Sequence, residues 1–156
     1  MFTLDPILES DTVLIGHFSL SLVLLSKDSN YPWCILVPQK PNIREIFQLD
    51  PEDRSKLLEE SCTLSETMVA LFQPDKMNVA ALGNMVPQLH LHHIARFKDD
   101  PAWPSPIWGA KAATPYTEEA LAEIVSKLRS ALSGDDFVIS DEVPEPSSTF
   151  SPTIET

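Results

Sequence analysis

Trp33–Pro38 (WCILVP) is a run of six consecutive apolar residues. A short continuous apolar run fits a strand buried on both faces, so this segment is expected at the centre of a sheet. Upstream, Thr12–Ser26 (TVLIGHFSLSLVLLS) reads as two strands joined at Gly16-His17. Lys27–Pro32 (KDSNYP) carries turn-forming Asp, Ser, Asn and Pro, which makes it a hairpin loop. Downstream, Asp50 can cap a helix, Pro51 suits its first position, and Glu52 and Asp53 complement its dipole. Leu57, Leu58, Cys62, Leu64, Met68, Val69 and Phe72 follow at mostly helical spacing until Pro74 stops the run. Lys76–Leu82 (KMNVAAL) and Leu89–Phe97 (LHLHHIARF) are strand-like. Thr117 is expected to cap a second helix, closed by Gly134.

A length of 156 residues suits one compact domain. The net charge of −12 argues against broad binding to nucleic acid or anionic membrane, which needs clustered Lys and Arg. Half of that charge lies in residues 134–156, so the expected organisation is a domain over residues 1–134 and an acidic, Pro/Ser-rich tail over 135–156. In this tail Phe137, Val138, Ile139 and Phe150 offer something to bury, and it could be disordered or an arm crossing another surface. No apolar run reaches the roughly 18–20 residues of a membrane span, and MFTLDPILESD lacks the basic start of a signal peptide. Cys34 and Cys62 are expected to be buried free thiols in a reducing cytoplasm. Residues 99–116 (DDPAWPSPIWGAKAATPY) read as a long ordered loop, because Trp103 and Trp108 call for burial.

Three of the four histidines fall in Gln88-Leu89-His90-Leu91-His92-His93. Strand alternation places Gln88, His90 and His92 on one face, with Leu89, Leu91 and His93 on the other. Burying that polar cluster without partners would cost several kcal/mol, so it is either satisfied internally or lines a site. Spacing leaves three readings open. The histidines could be structural, they could supply two ligands to a metal, or one imidazole could be a nucleophile oriented by its neighbours. A third metal ligand is missing from the motif.

GNMVPQLHLHHIARF resembles the signature of the histidine triad (HIT) superfamily, in which three histidines alternate with apolar residues. YPWCILVP, the acid-capped helix and DPAWPSPIWG extend the resemblance, over roughly residues 10–132, to a bacterial branch of HIT hydrolases. It implies an α+β fold with an antiparallel sheet of about five strands and two main helices, in a homodimer with one site per subunit.

It further implies that His90 is a nucleophile attacking the α-phosphorus of a nucleotide, with His92 and Gln88 as orienting partners. Gln88 stands where the family has its first histidine; it can hydrogen-bond but cannot carry a proton. Asn84 matches a phosphate contact, Asn78 a polar position near the nucleotide, and Asp28 a ribose contact. Asp28 reads equally as a turn cap, and Asn84 as part of a simple turn. Arg96 and Lys98 are the nearest cations in sequence and by default are solvated; His17 has no motif around it. The expected substrate is a nucleotide or dinucleotide, either a dinucleoside polyphosphate or a nucleoside phosphoramidate. No metal or cofactor is required, and no nucleic-acid or membrane partner is expected. One alternative is a nucleotide-binding protein without turnover, Gln88 marking lost chemistry; another is a metal-dependent enzyme using His90 and His92.

Overall fold

The structure is a computed structural model that describes residues 1–134 and 136–145. In chain order the elements are α1 (Pro6–Asp11), β1 (Thr12–His17), β2 (Ser21–Ser26), β3 (Trp33–Pro38), α2 (Pro51–Phe72), β4 (Lys76–Ala80), β5 (Leu91–Arg96), α3 (Glu118–Leu132) and β6 (Val138–Ile139). They form one six-stranded sheet in the order β4-β5-β3-β2-β1-β6, every neighbouring pair antiparallel. WCILVP is the inner strand β3, with β5 on one side and β2 on the other.

The two sheet faces are covered differently. Ile15, Val23, Leu25, Cys34, Leu36, Leu91 and Ala95 point to the helical side and pack with Leu57, Leu64 and Met68 of α2 and Leu128 and Leu132 of α3. Those helical positions are spaced by seven or four residues, which puts them on one stripe of each helix. Burying each of these aliphatic side chains contributes about 1.5–3 kcal/mol. On the opposite face Leu22, Leu24, Ile35 and Val37 pack with Leu4 and Leu8 of the N-terminal segment and with Val86. Further along that face Tyr31, Ile94, Ala102 and Ile107 form a smaller cluster under the loop after β5.

Helix ends follow their residue chemistry with one exception. The Thr117 hydroxyl accepts from the Ala120 amide at the start of α3, and Gln73 closes α2 in a left-handed conformation. Asp50 precedes α2 as expected but makes no side-chain capping bond; Pro51 is the first helical residue. The short helix α1 was not anticipated. Asp5 caps it by accepting from the Ile7 amide, and Pro6 opens it.

Three expectations are corrected. The turn between the first two strands lies at residues 18–20, because β1 runs through Gly16 and His17. Gly16 is small because β6 crosses it: a Cβ there would overlap the Val138 carbonyl and the Phe137 ring. Second, the sheet has six strands rather than about five. The additional strand, β6, comes from the acidic segment after Gly134, where Phe137 is buried edge-on against Phe18. Third, Cys62 is exposed, whereas Cys34 is fully buried and its thiol is pushed up to about 12 by desolvation. Phe150, also expected to seek burial, lies outside the described residues. Among the described residues no helix is long and apolar enough to cross a membrane.

Candidate active site

The site builds up from the entry into β5. The ladder begins at Leu91, so His90 and Gln88 lie just before it and His92 within it. Leu91, His93 and Ala95 face the helices, and His92, Ile94 and Arg96 face the other side. His93 is accordingly held in the core, where Nε2 meets the Ser61 hydroxyl at 2.7 Å and Nδ1 donates to the Leu91 carbonyl at 3.1 Å. Burial pulls the His93 pKa down to about 4, the Leu91 bond opposing it only in part.

His90 and His92 come together on the other face, with ring centroids 4.8 Å apart and nearly perpendicular. His90 Nδ1 lies 2.7 Å from the Gln88 carbonyl. A carbonyl only accepts, so Nδ1 carries the proton and the neutral ring keeps its lone pair on Nε2. The indole Nε1–H of Trp33 donates to His92 Nδ1 at 3.0 Å. Trp108, midway along the long loop, sets its ring 5.1 Å from His92 and 6.3 Å from Trp33. The two histidines are therefore nearly enclosed, each 6% exposed. A narrow cleft lined by Arg44, Glu45, Ala81, Leu82, Gly83, Gln88 and Leu89 reaches His90.

Gln88 acts here through its backbone. Its carbonyl orients His90, while its side-chain amide turns to the N-terminal segment: Nε2 donates to the Thr3 carbonyl at 2.8 Å, and Oε1 accepts from the Asp5 amide at 2.9 Å. The expectation that this amide stands beside the imidazoles is thus corrected. An alanine at position 88 is expected to destabilise the fold by about 1–2 kcal/mol through these two lost bonds. Faster hydrogen exchange at the Asp5 amide checks this, and unchanged exchange would contradict it.

The other candidates divide. Asn84 is exposed on the turn beside Gly83, which has φ +76° and lines the cleft. Asn78 turns its Oδ1 to the guanidinium of Arg96 at 2.8 Å. Asp28 is largely buried, and its Oδ1 accepts from the amides of Asn30 and Thr114, fastening the β2–β3 loop to the end of the long loop. Arg96, expected in solvent, is 2% exposed. It meets Asp100 through Nε and Nη2, the Ser105 carbonyl through Nη2, and lies 5.8 Å from the ring centres of Tyr31 and Trp103. Lys98 is exposed. His17 is half-buried, with Nδ1 3.1 Å from the Phe18 carbonyl.

Sequence reasoning missed Trp33 and Arg44. Trp33 shares a face with His92 only through the pairing of β3 with β5, in which Trp33 lies opposite Ile94 and Ile35 opposite His92. Arg44 reaches the cleft by the course of the loop after β3, for which local sequence carries no signal. No group of three or more His, Cys, Asp or Glu residues able to hold a metal occurs among the described residues.

A model of the HIT domain matches residues 8–99. A histidine triad protein from Marinobacter aquaeolei VT8 is 55% identical, covering 85% of this chain and 96% of its own, with a TM-score of 0.82. The histidine triad protein blr8122 from Bradyrhizobium japonicum is 41% identical over 85% of this chain and 98% of its own, with a TM-score of 0.83. A HIT protein from Sinorhizobium meliloti 1021 is 40% identical, covers 85% and 98% in the same sense, and has a TM-score of 0.82. A search of curated proteins finds no match.

Proposed function

The chain belongs to the HIT domain family, and from that premise we propose that it is a nucleotide hydrolase or transferase acting at the α-phosphate of a nucleoside phosphate. The observation that carries this reading is the bond from His90 Nδ1 to the Gln88 carbonyl. It fixes the tautomer whose Nε2 lone pair can attack phosphorus. As the Nε2–P bond forms and the bond to the leaving group breaks, positive charge develops on the imidazole. The Gln88 carbonyl, accepting from Nδ1–H, stabilises that charge. Water then attacks the phosphorus and gives up a proton to solvent, the P–N bond breaks, and His90 leaves in its neutral form.

Substrates of this reading are dinucleoside polyphosphates or nucleoside phosphoramidates. The same reading has a cytoplasmic homodimer that needs no cofactor. The turn around Gly83 supports a phosphate contact by its place at the cleft, and Asn84 is the exposed residue that follows it. The roles first given to the Asp28 and Asn78 side chains receive less support, because their neighbours already hold them.

Arg44 is the cation lining the cleft. Its replacement by alanine is expected to raise KM about fivefold to tenfold for a polyphosphate substrate, the ~1 kcal/mol of a partly solvated charge pair. A phosphoramidate with an uncharged amine leaving group should respond less. Equal effects on both substrates would remove Arg44 from leaving-group recognition.

A nucleotide-binding protein without turnover is the second reading, favoured by the absence of a titratable side chain at position 88. Release of nucleoside monophosphate from a panel of adenosine and guanosine phosphoramidates and dinucleoside polyphosphates separates the two. Binding without release would favour the second.

A further inference from the structure

We propose that Trp33 is a positioning residue that holds His92 as a neutral Nε2–H donor for a phosphoryl oxygen at His90. The inference deepens the nucleotide reading, and rests on it only for the identity of the acceptor; the tautomer stands on the protein's own bonds.

An indole N–H donates and never accepts. With Trp33 Nε1 3.0 Å from His92 Nδ1, that nitrogen must present a lone pair. The single proton of neutral imidazole is then on Nε2. A proton on Nδ1 would set two N–H groups against each other at 3.0 Å and break the bond. The surroundings favour the same state. His92 is nearly enclosed, its ring is flanked by those of His90, Trp33 and Trp108, and no carboxylate hydrogen-bonds it among the described residues. Desolvation, with the nearby His90 and His93, lowers its pKa to about 4.

The two histidines therefore carry opposite tautomers. His90 has its proton on Nδ1 and its lone pair on Nε2; His92 has the reverse. One ring can attack phosphorus while its neighbour, 4.8 Å away between centroids, offers an N–H to the developing oxyanion. Neither needs a proton from a side chain at position 88. Trp33 is well placed to hold this arrangement, because it sits in β3 paired to Ile94 of β5, two residues beyond His92.

The test uses full-length protein labelled with nitrogen-15 in histidine. Long-range proton–nitrogen spectra at neutral pH report which ring nitrogen is protonated, with His92→Gln used for assignment. The wild type should show His92 only as the Nε2–H tautomer, and Trp33→Phe should show a mixture. AMP should shift the His92 Nε2–H signal in the wild type. For a phosphoramidate that is turned over, Trp33→Phe should lower kcat about tenfold with KM changed less than twofold.

A wild-type His92 protonated on Nδ1, or cationic at neutral pH, overturns the proposal even if Trp33→Phe fails to fold. So does an unchanged tautomer in a folded Trp33→Phe protein, or a His92 signal that stays unshifted while AMP is bound; no binding of AMP overturns the nucleotide reading instead. An AMP response on the expected tautomer, without turnover of any nucleotide, upholds Trp33's role and overturns the hydrolase reading instead.

Discussion

Replacing His90 by glutamine is expected to lower turnover by at least about 10³-fold, because in the proposed mechanism His90 is the group that forms the covalent intermediate. The loss should fall on kcat rather than KM, since the cleft keeps Arg44 and the Gly83 turn. Folding should be largely preserved. His90 precedes the β5 ladder, and among the described residues its imidazole makes one hydrogen bond, to the carbonyl two residues back. A melting temperature lowered by less than roughly 5 °C, about 1–2 kcal/mol for a chain of this size, is the expected companion result. Turnover within tenfold of the wild type would remove His90 from the chemistry.

The second large effect concerns stability. Asp100→Ala should cost about 3–5 kcal/mol, because it leaves the buried Arg96 guanidinium without its counter-charge. The Arg96 and Asp100 side chains are 2% and 4% exposed and are joined at 2.8 Å. Asp100 also accepts from the amides of Phe97, Ala102 and Trp103, so its carboxylate organises the start of the loop that carries Trp108 to His92. Thermal unfolding should shift down by roughly 10 °C or more. A shift under about 2 °C would mean that the pair is not a keystone.

The pH dependence follows the same residue. Burial would raise the Asp100 carboxyl, but Arg96 and the three backbone donors outweigh it and hold the pKa at about 2. The folded value is below the unfolded one, so this contribution is complete above the ordinary carboxylate range near pH 4 and is lost as pH falls through about 2. In Asp100→Ala that component of acid destabilisation should be absent.

Local pattern carried the reading furthest where local pattern decides structure. WCILVP was legible as an inner strand because burial on both faces removes the need for alternation. The pairing of His90 with His92 was legible from spacing alone, although only His92 is inside the ladder. Contacts distant in sequence were not legible. The Gln88 amide finds its partners in Thr3 and Asp5, more than eighty residues away, and its direction is set by a segment whose helix α1 was itself missed.

A strand-end cation such as Arg96 ordinarily sits in solvent. Its burial depends on Asp100, Asn78 and the Ser105 carbonyl converging from β4 and the loop after β5. Strand β6 is only two residues long, within an acidic stretch, and gains its place by pairing with β1 some 120 residues earlier. Gly16 looked like a turn residue, whereas its small size serves the close passage of β6.

The most direct measurement is single-turnover mixing of the protein with a nucleoside phosphoramidate or dinucleoside polyphosphate, followed by rapid quenching and mass analysis of the peptide containing positions 88–93. An acid-labile nucleotidyl group on His90, formed and lost at rates matching product release and absent from His90→Ala, is the expected result. Product release with no adduct on His90, or an adduct on another residue, would contradict covalent catalysis by this histidine.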